Sequence, residues 1–589
     1  MKPRFLATTA LEGFWDPSRP LLFLNEGGKR FSRREHWLKL EHETLNFSWP
    51  EPDRVDEAYL GLLEECAALL HALVPVLNAI HGTEHTERYW RIMLHAWVSQ
   101  YFAVLVDRYS ALTLAVDRYP NLIVSGAPHG PPAVAGTSWE FATWVREDLF
   151  NQWLYADIAT ELGLHCRHFE TPYADLQPRA GARGRFRSIR RALNGVAHAY
   201  RPGDSILMRD SYFDFSSLAY FAMASAGRVR PVHPPARSFA VQVDVSLRQR
   251  LKGMISSEGR GVSGIARRLL ARYFPICFLE GYRSLCESAA AMYPSRPRAV
   301  FTANGLYYDE TFKHWIGVCA GAGTLLLGSQ HGGTFGVLRG LIGVEFELTV
   351  TDRFYTWGHE VEWRGKRSRA MPASKFISLA PASRQSRKQN QCILLGGTIA
   401  PRFNQAALAS CAPPAFAEYL DWQGRFIEAL DVKCRSRLRY RMHETDLGWD
   451  IRERLQARIP GLEFDDNKRS FRDSLAECDL FVCDYIGTIY AEAIAAMVPT
   501  ILFWDPRLSP LTPEAEPVFS ELRRQGILHD SPESAAEAAG LACRDVDAWW
   551  QVPARRLAIL AFRESFARHR EDAVAIWGRE FETILSTTT

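Results

Sequence analysis

The 589-residue sequence predicts an α/β protein with two doubly wound sheet domains and a large helical elaboration on the N-terminal one. Three observations lead there. Short apolar runs recur at helix-length intervals, the pattern of parallel strands joined by crossover helices. A polar stretch, Ala382–Asn390, interrupts the alternation with the composition of an interdomain linker. Between Asp56 and Ala115 the apolar residues instead repeat with the 3.6-residue period of amphipathic helices.

In chain order, the strand candidates Arg4–Thr9 and Leu21–Asn25 come first, split by a turn with Pro17 and Pro20. Helices are predicted through Leu60–Ile80, Thr86–Leu105 and Ser138–Leu162, and strands at Ser205–Met208, Ala299–Ala303, Thr324–Gly328 and Leu348–Thr356. After the linker the strands are Cys392–Leu395, Leu438–Met442, Leu462–Phe464, Asp479–Cys483 and Thr500–Trp504. Between them lie the helices Pro414–Leu430, Trp449–Arg458, Phe471–Glu477 and Thr488–Met497. The expected domains are 1–381, 391–545 and a helical tail, 546–589.

Composition narrows the function classes. Seventy basic against 67 acidic residues leave a net charge of +3, too small to point to nucleic acid. Eleven cysteines without any Cys-x-x-Cys spacing read as reduced thiols rather than a disulfide framework or structural zinc. No run approaches the ~18 uninterrupted apolar residues of a membrane span. The opening apolar stretch is too short for a signal peptide, so a cytoplasmic location is expected. The segment Arg179–Arg191 carries six arginines and no acid. It reads as a solvated face, or as a contact for an anionic lipid, acidic glycan or membrane surface.

The motif that says most follows the apolar run Thr324–Leu327: Gln330 and His331 stand ahead of Gly332 and Gly333. Ligands of open α/β sheets bind outside the carboxyl ends of strands, and glycines there admit a close approach. In the C-terminal half a strand ends at Asp484, turns through Gly487 and starts a helix at Thr488, a candidate N-cap. Free amides at such a start bind anions, and Glu492, one turn on, is placed to accept ribose hydroxyls. Arg402 is a candidate bidentate partner for phosphate, and His443 closes another strand of the same domain. In the first half, Asp309 and Glu310 begin a helix after a strand, and Asp210 ends another. Each carboxylate reads either as a helix-end charge or as a nucleophile or base facing an oxocarbenium-like transition state.

Together these stretches resemble transferases encoded in O-antigen and surface-polysaccharide loci. The resemblance rests on Ala7-Thr-Thr-Ala-Leu-Glu12, Phe23-Leu-Asn-Glu26, Tyr89-Trp-Arg-Ile-Met-Leu94, Tyr307-Tyr-Asp-Glu310, Gln330-His-Gly-Gly333 and Thr356-Trp-Gly358. Further on it takes in Phe464-Asp-Asp466, Thr488 with Glu492, Pro499-Thr-Ile501 and Phe503-Trp-Asp-Pro506. More distantly the layout is similar to GT-B glycosyltransferases, with two Rossmann-type domains, that use CMP-activated ulosonic acids. His443 is followed by Glu444 where those enzymes often carry His-Pro, and Gln330-His331-Gly332 stands where many have an acidic-acidic-Gly signature.

The resemblance implies a metal-independent GT-B glycosyltransferase of surface polysaccharide, at the cytoplasmic face of the membrane. Its partners would be a nucleotide-sugar donor, CMP-linked, and a glycan or lipid-linked glycan acceptor, with no further cofactor. His331, Asp309, Asp210 and Glu310 are then the candidate catalytic groups. Gln330, Gly332, Gly333, Arg402, His443, Gly487, Thr488 and Glu492 are the candidate donor-binding ones. Two rivals stay open: a polyol-phosphate transferase with a CDP donor, similar to teichoic-acid polymerases, and a non-catalytic carbohydrate-binding protein.

Overall fold

The computed structural model describes residues 3–47, 54–170, 203–232, 241–256, 258–294, 296–379, 392–403, 413–465 and 467–587. The basic segment Arg179–Arg191 and the linker Ala382–Asn390 lie outside the described residues.

Three parallel sheets organise the chain. The first holds β1 (Phe5–Ala7), β2 (Leu21–Phe23), β3 (His42–Thr44), β4 (Ile123–Ser125) and β5 (Cys166–Arg167), in the order β3-β2-β1-β4-β5. The helical elaboration is thus itself built on a sheet. Of these only β1 and β2 are visible in the sequence, because both are wholly apolar and the runs around them extend the signal, whereas β3 is polar and β4 and β5 are too short and mixed to stand out.

The Val55–His81 and Glu87–Arg118 helices pack against each other in the largest core cluster. Gly82, left-handed at φ 65°, ends the first helix with its N–H on Asn78 O, and Thr86 caps the second by accepting from Tyr89 N. The Val55–His81 helix is long and apolar enough by composition to cross a membrane. In this fold its apolar stripe of Leu62, Cys66, Leu69, Leu73 and Leu77 is buried in the core.

The second sheet contains β6 (Ile206–Arg209), β7 (Val229–Pro231), β8 (Ala299–Thr302), β9 (Leu325–Ser329) and β10 (Arg353–Thr356). After a small hairpin, β11 (Glu362–Trp363) with β12 (Lys366–Arg367), it closes on β13 (Arg369–Ala370). Its order is β13-β10-β9-β8-β6-β7. The apolar run Leu348–Thr356, expected as one strand, is divided: a helix, Ile342–Val350, ends in it, and β10 begins at Arg353. Short apolar runs do not separate a buried helix end from a strand.

The third sheet is the doubly wound domain expected after the linker. It consists of β14 (Cys392–Gly396), β15 (Leu438–Arg441), β16 (Glu463–Phe464), β17 (Cys478–Cys483), β18 (Thr500–Phe503) and β19 (Leu528–His529), ordered β16-β15-β14-β17-β18-β19. The chain winds outward from β14 through β15 to β16, then resumes on the other side at β17. The strand order therefore reverses between β14 and β17. The tail crosses back: on its Ala573–Ser586 helix, Trp577 and Phe581 pack in the core of the second sheet, and Glu580 accepts from Tyr355 Oη at 2.7 Å. Every described cysteine is a free thiol, as the spacing implies.

Candidate functional site

The second and third sheets meet at their carboxyl edges. β9 ends in the Gln330–Gly333 loop, and β17 in the Asp484–Gly487 turn ahead of the seven-residue Ile489–Ala495 helix. A Cβ on Gly333 would lie 2.1 Å from the Gly487 carbonyl oxygen, so only glycine allows this backbone contact. Gly333 N donates to Thr488 Oγ1 at 3.2 Å, and Tyr490 Oη donates to Gly333 O at 3.1 Å. Thr488 stands at the N-cap position, but its hydroxyl caps nothing; it reaches across to the other sheet. Gly332 would meet only ordinary contacts. Gly333→Ala is therefore expected to cost at least about 1–3 kcal/mol of stability by forcing the edges apart, whereas Gly332→Ala stays near the parent in thermal unfolding.

His331 emerges beside this contact, 28% exposed, with Nε2 3.3 Å from Glu347 Oε1. Glu347 sits on the Ile342–Val350 helix and is 2% exposed. Burial pushes its carboxyl above the usual range, offset in part by the His331 charge and by hydrogen bonds from His331 and Tyr307. The Tyr307 ring packs edge-on to the imidazole at 5.3 Å. An imidazole open to the cleft with a carboxylate behind it is the arrangement of a proton acceptor. Gln330, in contrast, is spent inside the protein. Its Oε1 accepts from Trp357 N and its Nε2 donates to Gly332 O, both at 2.8 Å, tying the ends of β9 and β10 together.

The carboxylates expected as reacting groups divide. Asp309 caps the Glu310–Gly321 helix through Phe312 N at 3.1 Å and pairs with Arg209 at 2.5 Å. Glu310 is buried, paired with Lys313, and accepts from Ser138 N at 2.8 Å. Neither is left facing open space, so both serve as internal charges of the fold. Asp210 differs: it is 28% exposed at the end of β6, 3.2 Å from Arg209 Nε, in a left-handed conformation at φ 49°. Tyr212, two residues on, is left-handed as well, at φ 62°. Such conformations are costly for residues other than glycine and gather at functional sites. Tyr212 Oη accepts from Asn304 Nδ2 at 2.7 Å, and Asn304 Oδ1 accepts from Tyr308 Oη at 2.6 Å.

Of the residues expected to hold the nucleotide, Gly487 and Thr488 lie at the cleft. Arg402 is not free to fork a phosphate. Its guanidinium is buried, paired with Asp148, with Nη1 donating to Gly27 O at 2.8 Å and Nε to Leu447 O at 3.2 Å. It ties the first sheet's unit to the third. His443 is exposed beyond β15, where its Nδ1 accepts from Thr445 N at 3.1 Å. Glu492 is buried and engaged by Arg472 at 2.5 Å, so a ribose would have to displace or share that cation.

Three groups that the sequence did not single out also line this edge. Besides Glu347, Lys375 places its ammonium 5.1 Å above the Tyr212 ring. It pairs with no described carboxylate, and burial lowers its pKa, with Glu492 opposing. Arg472, from the Phe471–Glu477 helix, donates to Glu492 and to Lys375 O at 2.7 Å. Two doubly wound parallel sheets, the second and the third, with their carboxyl edges opposed make this an α/β protein of the GT-B fold class.

The chain belongs to the LIC12162 family of transferases, whose model matches residues 4–581. No curated protein matches it. Solved structures give remote likenesses. One is Anabaena Alr3699/HepE in complex with UDP and glucose, at 12% identity over 66% of this chain and 100% of that one, with a TM-score of 0.35. Acinetobacter baumannii MurG is 13% identical over 65% and 100%, with a TM-score of 0.34. The wall teichoic acid polymerase TagF is 10% identical over 65% and 89%, with a TM-score of 0.31.

Proposed function

We propose that this transferase moves a glycosyl group from a nucleotide-activated donor, CMP-linked and carrying an ulosonic acid, to a glycan or lipid-linked glycan acceptor of bacterial surface polysaccharide. One observation supports the reading most: the His331 loop of the second sheet meets Gly487–Thr488 of the third, which brings the proposed proton acceptor beside the proposed nucleotide edge. His331 takes the proton of the acceptor hydroxyl as that oxygen attacks the anomeric carbon. Glu347 steadies the imidazolium that forms, and the bond from the sugar to the nucleotide's phosphate breaks. Lys375 supports this reading as a cation for the departing phosphate without a metal ion. Work at the inner face of the membrane, with peripheral contact, belongs to the same proposal.

A thermal-shift panel of CMP, CDP, UDP and GDP tests it, because a bound ligand stabilises the fold by mass action. CMP is expected to raise the midpoint, and Thr488→Val to reduce that gain. No stabilisation by any of the four, or a product that carries a polyol phosphate in place of a sugar, rules the reading out.

A further inference from the structure

A cavity at the carboxyl edge of the third sheet lies beside the Gly487 turn and contains none of the residues expected to hold the nucleotide. It is open at its mouth and is lined by residues that follow β14 and β17, by the end of β18 and the residues after it, and by Tyr419 and Trp422 of the Pro413–Ala429 helix. This is the point where the strand order reverses, the place at which open α/β sheets take ligands.

Its lining is unusual in two ways. Aromatic rings dominate, Trp422, Tyr485 and Trp504 among them, and they can hold a flat ring between their faces. Two polar groups also stand out, one for its lack of a counter-charge and one for its lack of a partner. Asp484 is fully buried, yet it accepts only from neutral donors, Tyr419 Oη and Gln423 Nε2, each at 2.7 Å, and no described cation pairs with it. Burial pushes its carboxyl up to about 7. Trp504 Nε1 is buried with no acceptor among the described residues.

The glycines beneath serve this arrangement. A Cβ on Gly397 would lie 2.3 Å from Tyr440 Oη and 2.9 Å from Gln423 Nε2, and one on Gly487 would lie 2.2 Å from the Tyr485 ring. The hydrogen-bond chain from Tyr440 through Gln423 to Asp484 continues to Tyr419, which accepts from Thr398 N at 2.8 Å. That chain fixes the carboxyl in place.

We propose that this cavity is the base pocket of the nucleotide, that Trp504 Nε1 holds a pyrimidine's ring carbonyl, and that the Asp484 carboxyl selects cytosine, the second carboxylate of the lining, Asp505, being paired with Arg507. The inference rests on the donor reading above and adds where and how the base is read. A cytosine offers an exocyclic amine to Asp484, a ring carbonyl to Trp504 Nε1, and a flat face to Trp422 and Tyr485. Uracil fits less well, because its single N–H is flanked by two carbonyl oxygens that would crowd the carboxyl with lone pairs. A site built to hydrogen-bond one ring rejects the analogue that leaves its polar groups unpaired.

Calorimetric titration with CMP, UMP, GMP and AMP decides the matter. The parent protein is expected to bind CMP about tenfold or more tightly than UMP. Asp484→Asn should bring that ratio towards one. Trp504→Phe removes the indole donor and trims that wall of the pocket, neither of which tells cytosine from uracil, so it should weaken CMP and UMP alike and keep the ratio. Equal binding of CMP and UMP by the parent, a ratio unchanged in a folded Asp484→Asn, or a preference for GMP or AMP overturns the cytosine assignment. If Asp484→Asn fails to fold, Trp504→Phe still decides: unchanged affinity for both pyrimidines removes the pocket from base binding. Absence of binding by all four nucleotides defeats the donor reading itself, which separates the two failures.

Discussion

His331→Asn is expected to fold normally, to bind CMP as the parent does, and to lose transfer activity by ~10²–10⁴, the usual contribution of a positioned acid–base group. The asparagine keeps a polar side chain in the loop, and the Gly333–Gly487 contact needs none of the imidazole. Glu347→Gln keeps its volume and loses its charge. It should therefore cost less than His331→Asn, and the double variant should be little worse than His331→Asn alone, since one group acts through the other. Single-turnover rates with an authentic donor and acceptor check this. Near-parental turnover by His331→Asn would reduce the loop to a structural turn. Asp210→Asn, tested alongside, separates the partly open carboxylate from Asp309, whose loss should show mainly in stability.

Arg402→Met is expected to destabilise the protein by about 3 kcal/mol or more, since removing one partner strands the other as a buried charge. Burial alone would raise the Asp148 carboxyl, but Arg402 and then Arg30 hold it below the usual range. Arg30 Nη2, 3.0 Å from Asp148, remains in the variant and limits the loss. A depressed carboxyl contributes stability that is present above its unfolded pKa and is lost as pH falls through the folded one. The gap between parent and variant should accordingly close in acid, below about pH 4. Denaturant unfolding with a probe in each unit measures it. A gap that stays constant from neutral pH into acid would show that the pair contributes nothing through charge. Adding Asp148→Asn to Arg402→Met should recover part of the loss.

Much of the fold was legible because its central strands carry unbroken apolar stretches, Leu480–Cys483 and Leu325–Leu327 among them. Cys478–Cys483 and Leu325–Ser329 announce themselves, and the polar residues just beyond them must then emerge at a sheet edge. That reasoning put His331 and the Gly487–Thr488 turn just beyond strand ends, where they lie. It could not find Glu347, whose partnership depends on how one helix packs across β9 rather than on any spacing between the two residues. Lys375 has no motif around it and reaches the cleft only because β13 delivers its loop there. Arg402 misled for the same reason in reverse: its partner Asp148 is 254 residues away, and no local pattern reports that an arginine has been claimed. Asp309 and Glu310 show the limit of reading carboxylates at helix starts, where capping and ion pairing satisfy the same residue types as chemistry does.

The close approach of Gly333 to Gly487, taken with the Arg402–Asp148 tie, staples the third sheet to each of the other two. Jaw-like separation of the second and third sheets would have to break the Gly333–Gly487 contact and its two hydrogen bonds first. Under the proposed function, donor and acceptor would enter and leave by side chains and short loops giving way, motions of nanoseconds to microseconds, rather than by slow rigid swinging of whole domains.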